Sequence, residues 1–285
     1  MISVLKLPAT VACAALLMNT PLSVIALPQQ ALVPGGIAIM ELDDFTDGTR
    51  ITFDDRRTTV FKHQQSWFAL AGIPLSAQPG EYSFKIRQQD GNTAVNTVTV
   101  NAKKYQEQRL TIKNKRKVNP NTQDLERIAE ERIRKRVAKN HWSATYPDVD
   151  FIWPVTGRIS SIFGLRRFFN EQERNPHSGL DIAAPEGTDI KATADGTVIE
   201  TGDFFFSGNM VYIDHGQGLI SLYAHLSRID VKPGDVLRRG DIIGAVGQTG
   251  RVTGAHLHFA VIANGVLVDP LPFLPQQQPS ALSGP

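Results

Sequence analysis

One cysteine in 285 residues leaves no partner for an intrachain disulfide. That residue, Cys13, lies in an N-terminal stretch unlike the rest of the chain. Charge of one sign is equally scarce: 30 basic against 28 acidic side chains give a formal +2, too little to favour a nucleic-acid binder. Long apolar runs are missing too, since the one at residues 7–26 is broken by Pro8, Asn19 and Pro21, which argues against a durable spanning helix. The 23 Gly and 17 Pro follow no fixed period, which excludes collagen and disfavours a coiled coil or helical bundle. At 41% apolar residues the chain is not disordered, and its length admits two cores. Short strands joined by turns, a mainly β fold, are the expectation.

Lys6, the apolar run and the small-residue ending Val24-Ile25-Ala26 read as a secretory signal cleaved after Ala26. A lipoprotein anchor at Cys13 would need a better lipobox than Thr10-Val11-Ala12. Cleavage leaves 259 residues with no cysteine and a charge of +1, exported to the periplasm or cell envelope without a stable membrane span.

Residues 27–117 read as a small β-sandwich, with strand-like runs at 36–42, 50–53, 67–70, 82–88, 97–100 and 109–113 and turn dipeptides at Asp47-Gly48, Pro79-Gly80 and Asp90-Gly91. Residues 118–145 read as a helical linker. Leu125, Ile128, Ala129, Ile133 and Val137 fall on one stripe, and Glu130–Arg134 and Glu131–Lys135 have i,i+4 spacing, so the helix is expected to pack on that stripe. The neck at residues 101–145 nets +8, flanked by −2 and −5. Either it meets an anionic envelope polymer or it is a solvated helix face and sheet edge, the second being favoured.

Residues 146–275 read as an antiparallel β module and residues 276–285, rich in Pro, Gln and Ser, as a disordered tail. Within the module Gly234-Asp235-Val236-Leu237 recurs as Gly240-Asp241-Ile242-Ile243, as in the β-hairpins of biotinyl and lipoyl carriers. A swinging-arm carrier fails for want of a lysine at a hairpin tip, because the module's only lysines are Lys191 and Lys232.

Five of the seven histidines lie between His177 and His258. His256 and His258, two apart on a strand, share one face with Cα atoms about 7 Å apart, so one can ligate a metal while the other reaches its water. His177 and Asp181 would lie about 13 Å apart on a straight strand, so the segment must bend, and Gly179 is the permissive residue between them. Two imidazoles and a carboxylate leave a fourth tetrahedral position for water, as catalytic zinc requires. His215, His63 and His141 have no partner spacing and read as structural or rim residues. Of Phe204-Phe205-Phe206 at least one must be exposed, either as a groove wall or as a loop anchor. His-Glu-x-x-His is absent, which removes the thermolysin-like class.

His177-x-x-x-Asp181, Tyr223-Ala-His225-Leu, His256-Leu-His258 and Phe163-Gly-x-Arg166 together resemble the lysostaphin-type (LytM-like) zinc metallopeptidases, which cut peptide cross-links of bacterial peptidoglycan. The likeness covers about residues 151–274. Residues 33–120 are similar to the β-rich N-terminal domain of some exported Gram-negative members. The resemblance implies one zinc ion per chain on His177, Asp181 and His258, with His225 and His256 as the unligated pair that handles water and developing charge. It implies peptidoglycan peptide stems as substrate, with diaminopimelate cross-links expected of a Gram-negative type and a glycine bridge of a lytic enzyme. A regulatory protein partner stays unknown. The rival class is a non-catalytic wall-binding module or amidase activator, which would have lost the ligands. A third reading is an enzyme held latent by the N-terminal sandwich or neck.

Overall fold

The structure, a computed structural model, describes residues 27–276 and 278. The expected signal at residues 1–26 lies outside the described residues, as does most of the expected tail.

The first seven strands are β1 (Ile37–Leu42), β2 (Arg50–Phe53), β3 (Arg56–Arg57), β4 (Thr59–His63), β5 (Ser66–Gly72), β6 (Gly80–Arg87) and β7 (Thr93–Val100). They form two antiparallel sheets, β1-β5-β4 and β3-β2-β6-β7. Alternation aims Ala38, Met40 and Leu42 of β1 and Ala69 and Ala71 of β5 at Ile51, Phe53, Phe84 and Val100 of the other sheet, so the two close on one apolar layer as a sandwich. The opposite face of β1-β5-β4 is buried as well. Ile37, Phe61, Phe68 and Leu70 join the core of the C-terminal half. Gly72 allows that approach, because a Cβ there would lie 3.0 Å from both Val266 and Val268.

The chain then forms β8 (Glu107–Leu110) and helix α1 (Thr122–Lys139). The expected strand at 109–113 is thus displaced toward the N-terminus, and β8 pairs in parallel with β10 (Arg166–Phe169), Gln108 opposite Arg167. Asn121 caps α1 in a reciprocal box with Asp124.

The helix overturns two expectations. Leu125, Ile133 and Val137 of the apolar stripe are 54%, 56% and 67% exposed, whereas Asp124, Glu131 and Ala138 are buried. The predicted i,i+4 pairs are also replaced. Arg134 bonds Glu200 at 2.7 Å, and Glu131 takes Arg127 at 2.6 Å and the Phe205 N–H at 2.8 Å. Polar bonds to strands of the C-terminal half outcompete a pairing that would be worth only about 0.2–0.5 kcal/mol on the helix surface. Part of the basic neck is neutralised in the same way: Arg109, Arg116, Arg127 and Arg134 all meet carboxylates.

Beyond β10 follow β9 (Arg158–Ser161, earlier in the chain), β11 (Gln172–Glu173), β12 (Leu180–Ala183), β13 (Asp189–Lys191), β14 (Gly196–Phe204), β15 (Gly208–Gly216) and β16 (Leu219–Leu226). The remainder are β17 (Arg228–Ile229), β18 (Val236–Leu237), β19 (Ile242–Ala245), β20 (Leu257–Ala263) and β21 (Val266–Val268). An eight-stranded sheet, β18-β14-β15-β16-β20-β12-β9 with β21 on β20, packs against the small sheet β13-β19-β17. The Gly-Asp repeat does not make a hairpin, since β18 joins β14 while β19 joins β13 and β17. It encodes two equal turns. Asp235 and Asp241 each accept the N–H three residues back, at 2.9 and 2.7 Å, and Gly234 and Gly240 both take positive φ.

On β20, Leu257, Phe259 and Val261 point into the main core, while His258, Ala260 and Ile262 point to the other face, where α1 lies over β14. That alternation decides where chemistry can happen. No helix among the described residues is long and apolar enough to cross a membrane.

Candidate metal centre

Three elements bring the histidines together on the outer face of the large sheet. Asp181 of β12 stands directly opposite His258 of β20 in an antiparallel pair, so the two side chains share that face. His177 precedes β12, and its backbone bonds loop residues Gly164 and Leu165 instead of a strand. The expected bend between His177 and Asp181 is therefore present. Gly179 serves it by close approach, not by left-handed backbone: a Cβ would lie 2.4 Å from the Phe259 carbonyl and 2.8 Å from the His258 ring.

The three ligand atoms form a small triangle. His177 Nε2 is 2.9 Å from Asp181 Oδ1 and 3.1 Å from His258 Nδ1, and His258 Nδ1 is 2.8 Å from the same carboxylate oxygen. His177 Nδ1–H donates to the Ile162 carbonyl at 2.7 Å, so its Nε2 presents a lone pair to an anionic oxygen. Facing lone pairs repel unless a cation lies between them, and the triangle is small enough for one ion with bonds of about 2 Å to reach all three. The donor chemistry fits a divalent metal, and these residues are the group among the described ones that could hold one.

Two more imidazoles flank the triangle. His225 is the extra residue of a β-bulge, where Asn209 and Met210 of β15 face Leu226 and Ala224, and its φ of 68° is costly for a residue with a Cβ. Its Nδ1–H donates to the Thr249 carbonyl at 2.8 Å, and that of His256 to the Gly254 carbonyl at 2.8 Å. Both Nε2 atoms are thereby left as acceptors. The two rings lie 4.9 Å apart, and His256 Nε2 is 3.8 Å from Asp181 Oδ1.

Burial sets the charge states. It pushes His225 down to about 3, helped by His256 and His258, pushes His177 down to about 4 against the pull of Asp181, and lowers His256. For Asp181 burial works toward protonation, yet the imidazoles of His177 and His258 hold the carboxyl well below the usual range. At neutral pH His177, His225 and His256 are therefore neutral, around one carboxylate.

Sequence reasoning passed over the support of that carboxylate. Asp181 Oδ2 accepts from Arg167 Nη2 at 2.6 Å, and Arg167 is held by Gln108 Oε1 at 3.0 Å and Ser161 Oγ at 3.1 Å. The Phe163-Gly-x-Arg motif draws attention to Arg166, which instead bonds Glu107 and Glu173 at the surface. Adjacent residues on a strand face opposite ways, so the doubled arginine on β10 was the available signal. Gln108 arrives from the neck and has no sequence signal near the site.

The other histidines stay apart. His215 is buried between the Asp195 carbonyl and Ser221, His141 pairs with Asp214 at 3.4 Å, and His63 packs edge-on against Phe68. Phe204 and Phe205 are buried, and Phe206 alone is half-exposed.

Comparison with known proteins places this geometry. Residues 175–270 match Peptidase family M23, and residues 30–103 match the Peptidase family M23 N-terminal domain. Over 121 residues, 42% of the chain, it is 46% identical to Peptidoglycan DD-endopeptidase ShyA of Vibrio cholerae. Over 117 residues, 41% of the chain, it is 46% identical to DD-carboxypeptidase/endopeptidase Mpg of Neisseria meningitidis. The aligned stretch is 27% of either protein, so the chain spans about a quarter of the curated relatives it matches. A solved structure from Pseudomonas aeruginosa, described as a candidate peptidase M23, aligns over 88% of this chain and 96% of its own at 37% identity and a TM-score of 0.71. The match spans the sandwich, the helix and the histidine-bearing sheet together, and on that ground the chain belongs to peptidase family M23.

Proposed function

We propose that this protein is an exported, zinc-dependent endopeptidase that hydrolyses amide bonds in the peptide cross-links of peptidoglycan, acting in the periplasm or cell envelope. The observation that carries the reading is the triangle of His177 Nε2, Asp181 Oδ1 and His258 Nδ1, all within 3.1 Å of one another. The names of the matched Vibrio and Neisseria relatives, both endopeptidases, support the substrate class.

His177, Asp181 and His258 would hold a single zinc ion, which supplies a water acidic near neutral pH and polarises the scissile carbonyl. Arg167 occupies Oδ2 of Asp181 and so leaves Oδ1 for the ion, a positioning role of the kind worth 10–100-fold in metal affinity. His225 and His256 are neutral with free Nε2 lone pairs, so either can take the proton of the attacking water and hand it to the leaving amine. The ring not engaged in that transfer faces the developing oxyanion. No serine or cysteine nucleophile is required. A non-catalytic activator would not need the complete ligand set or the two oriented helpers.

Metal content and turnover of purified cell wall, measured before and after chelation, test the reading. About one zinc per chain, with activity lost on chelation and regained with zinc, is expected. A metal-free protein that degrades wall equally well would overturn it.

A further inference from the structure

Arg251 lies in the loop between β19 and β20, five residues before His256, and its guanidinium is less engaged than those around it, including Arg174, which meets no carboxylate but bonds Gln172, Asn119 and the Val118 carbonyl. Arg109, Arg166 and Arg167 all meet carboxylates. Arg251 meets none among the described residues. Its guanidinium lies over two rings, Phe169 at 4.5 Å and Phe206 at 4.4 Å. Its one side-chain bond is from Nη1 to the Lys117 carbonyl at 3.3 Å. The charges that bear on it are Arg167 and Arg174, both of like sign, and burial together with them pushes it down to about 10. Nε and Nη2 have no partner, yet they are not sealed from solvent: among the described residues the one fully buried side-chain polar atom without a partner is Ser143 Oγ.

The position of this cation matters as much as its state. Phe169 belongs to the β10–β11 hairpin, whose Arg167 grips Asp181. Phe206 belongs to the β14–β15 turn, whose Ser207 carbonyl accepts the N–H of His225. Thr249, two residues before Arg251, accepts from His225 Nδ1. Arg251 thus joins the two walls that flank the metal centre and faces no counter-ion there. A guanidinium packed against two rings loses little further freedom on binding, and its unpaired Nε and Nη2 donors match the two oxygens of a carboxylate.

We propose that Arg251 is a specificity-determining residue that receives a free carboxylate of the substrate peptide, resting on the endopeptidase reading above. Diaminopimelate carries such a carboxylate on the carbon that bears the acylated amine, whereas a glycine bridge offers none beside its scissile bonds. Arg251 therefore selects cross-links of the first kind.

The test uses the full chain and two synthetic cross-linked peptides, identical except that the carboxylate next to the scissile amide is free in one and a carboxamide in the other. The wild type should favour the free acid by about tenfold or more in kcat/KM, chiefly through KM. R251M should cleave both peptides at about the wild-type rate for the amide, with metal content unchanged, and R251K should keep part of the preference. A wild type that cleaves both peptides alike overturns the inference whether or not the variants fold. So does an R251M that slows both equally, which would mark Arg251 as a clamp for its loop. A wild type that cleaves neither, while loaded with metal, overturns the endopeptidase reading and this inference with it.

Discussion

The two faces of the large sheet are built by opposite means. The inner face is close-packed: Leu257, Phe259, Val261, Leu219 and Tyr223 are buried against the small sheet, and the polar groups among them are paired, as in Tyr223 with Ser221 and Thr193. The outer face carries Asp181, His225 and His258 beside a buried apolar cluster of Met210, Tyr212, Ile220, Ala260 and Ile262, which Ala138 of helix α1 joins, and ion pairs tie the exposed side of α1 to β14. Residues one position apart on β20 therefore answer to different demands. The inner face is packed throughout, whereas the outer face is apolar beneath α1 and polar toward β12, where His225 is held at a strained positive φ.

Neighbours on β20 give the sharpest way to break that contrast. His258→Ala should abolish metal retention and turnover together while costing the metal-free protein less stability than a core truncation, because its ring is only half-buried and lies outside the apolar clusters. Phe259→Ala should cost about 3–5 kcal/mol in denaturant unfolding, as large-to-small changes in a sealed core do. His177→Ala should behave as His258→Ala does, whereas His256→Ala should keep the metal and lose most of the rate. Metal analysis and unfolding curves on the four proteins decide. An empty site in His256→Ala would reverse the assignment of ligand and helper.

Much of the outer face was legible because metal donors are rare types at fixed spacings. The pair His256-x-His258 has the period of a strand, and the three histidine segments had to converge for either one to make sense. The strands that bound those segments were legible for the same reason of period. The support was not, because Gln108 and Arg167 are ordinary residues whose meaning comes from the parallel pairing of β8 with β10, a contact across some sixty positions of chain. Helix α1 was misread for a physical reason. Its stripe of Leu125, Ile133 and Val137 has helical period, but period says only that such residues share a face, not that the face is covered. The surface beneath α1 presents Glu200, Asp203 and the Phe205 N–H, and these select its charged side.

Breaking the support should act more gently than breaking the ligands. Arg167→Met should weaken metal binding about 10–100-fold, read by competition with a chelator of known affinity, with overall fold intact. Arg167→Lys should recover part of that, since a single donor can still reach Oδ2 but cannot also hold Gln108 and Ser161. Gln108→Ala should show the same effect at smaller size. Unchanged metal affinity in Arg167→Met would confine the arginine to a packing role.

Both faces hold buried neutral imidazoles, and pH probes them together. His177, His215, His225 and His256 are all lowered by burial below the ordinary value of about 6.5. The unfolded chain therefore binds more protons just below that value, so the stability these groups contribute is complete above about pH 6.5 and is lost as the pH falls toward their folded values. Unfolding of the metal-stripped protein at pH 7.5 and 5.5 should differ by on the order of 1 kcal/mol for each imidazole that stays neutral. Equal stability at the two pH values would mean that these rings are already charged in the fold.

The smallest effects separate the two sides of α1. Glu131 is buried and accepts the Phe205 N–H with both oxygens, so Glu131→Ala strands a donor and should cost about 1–3 kcal/mol. Ile133, two residues on, is 56% exposed and touches no core cluster, so Ile133→Glu should change stability by no more than about 0.5 kcal/mol. Arg134→Ala should fall between them, since its pairing with Glu200 is partly exposed and screened, while its guanidinium also covers the Phe204 ring at 4.6 Å. If Ile133→Glu instead cost as much as Glu131→Ala, the stripe would be a covered face after all. The helix would then be seated by apolar burial, like the inner face of the sheet, and the contrast between the two faces would fail at α1.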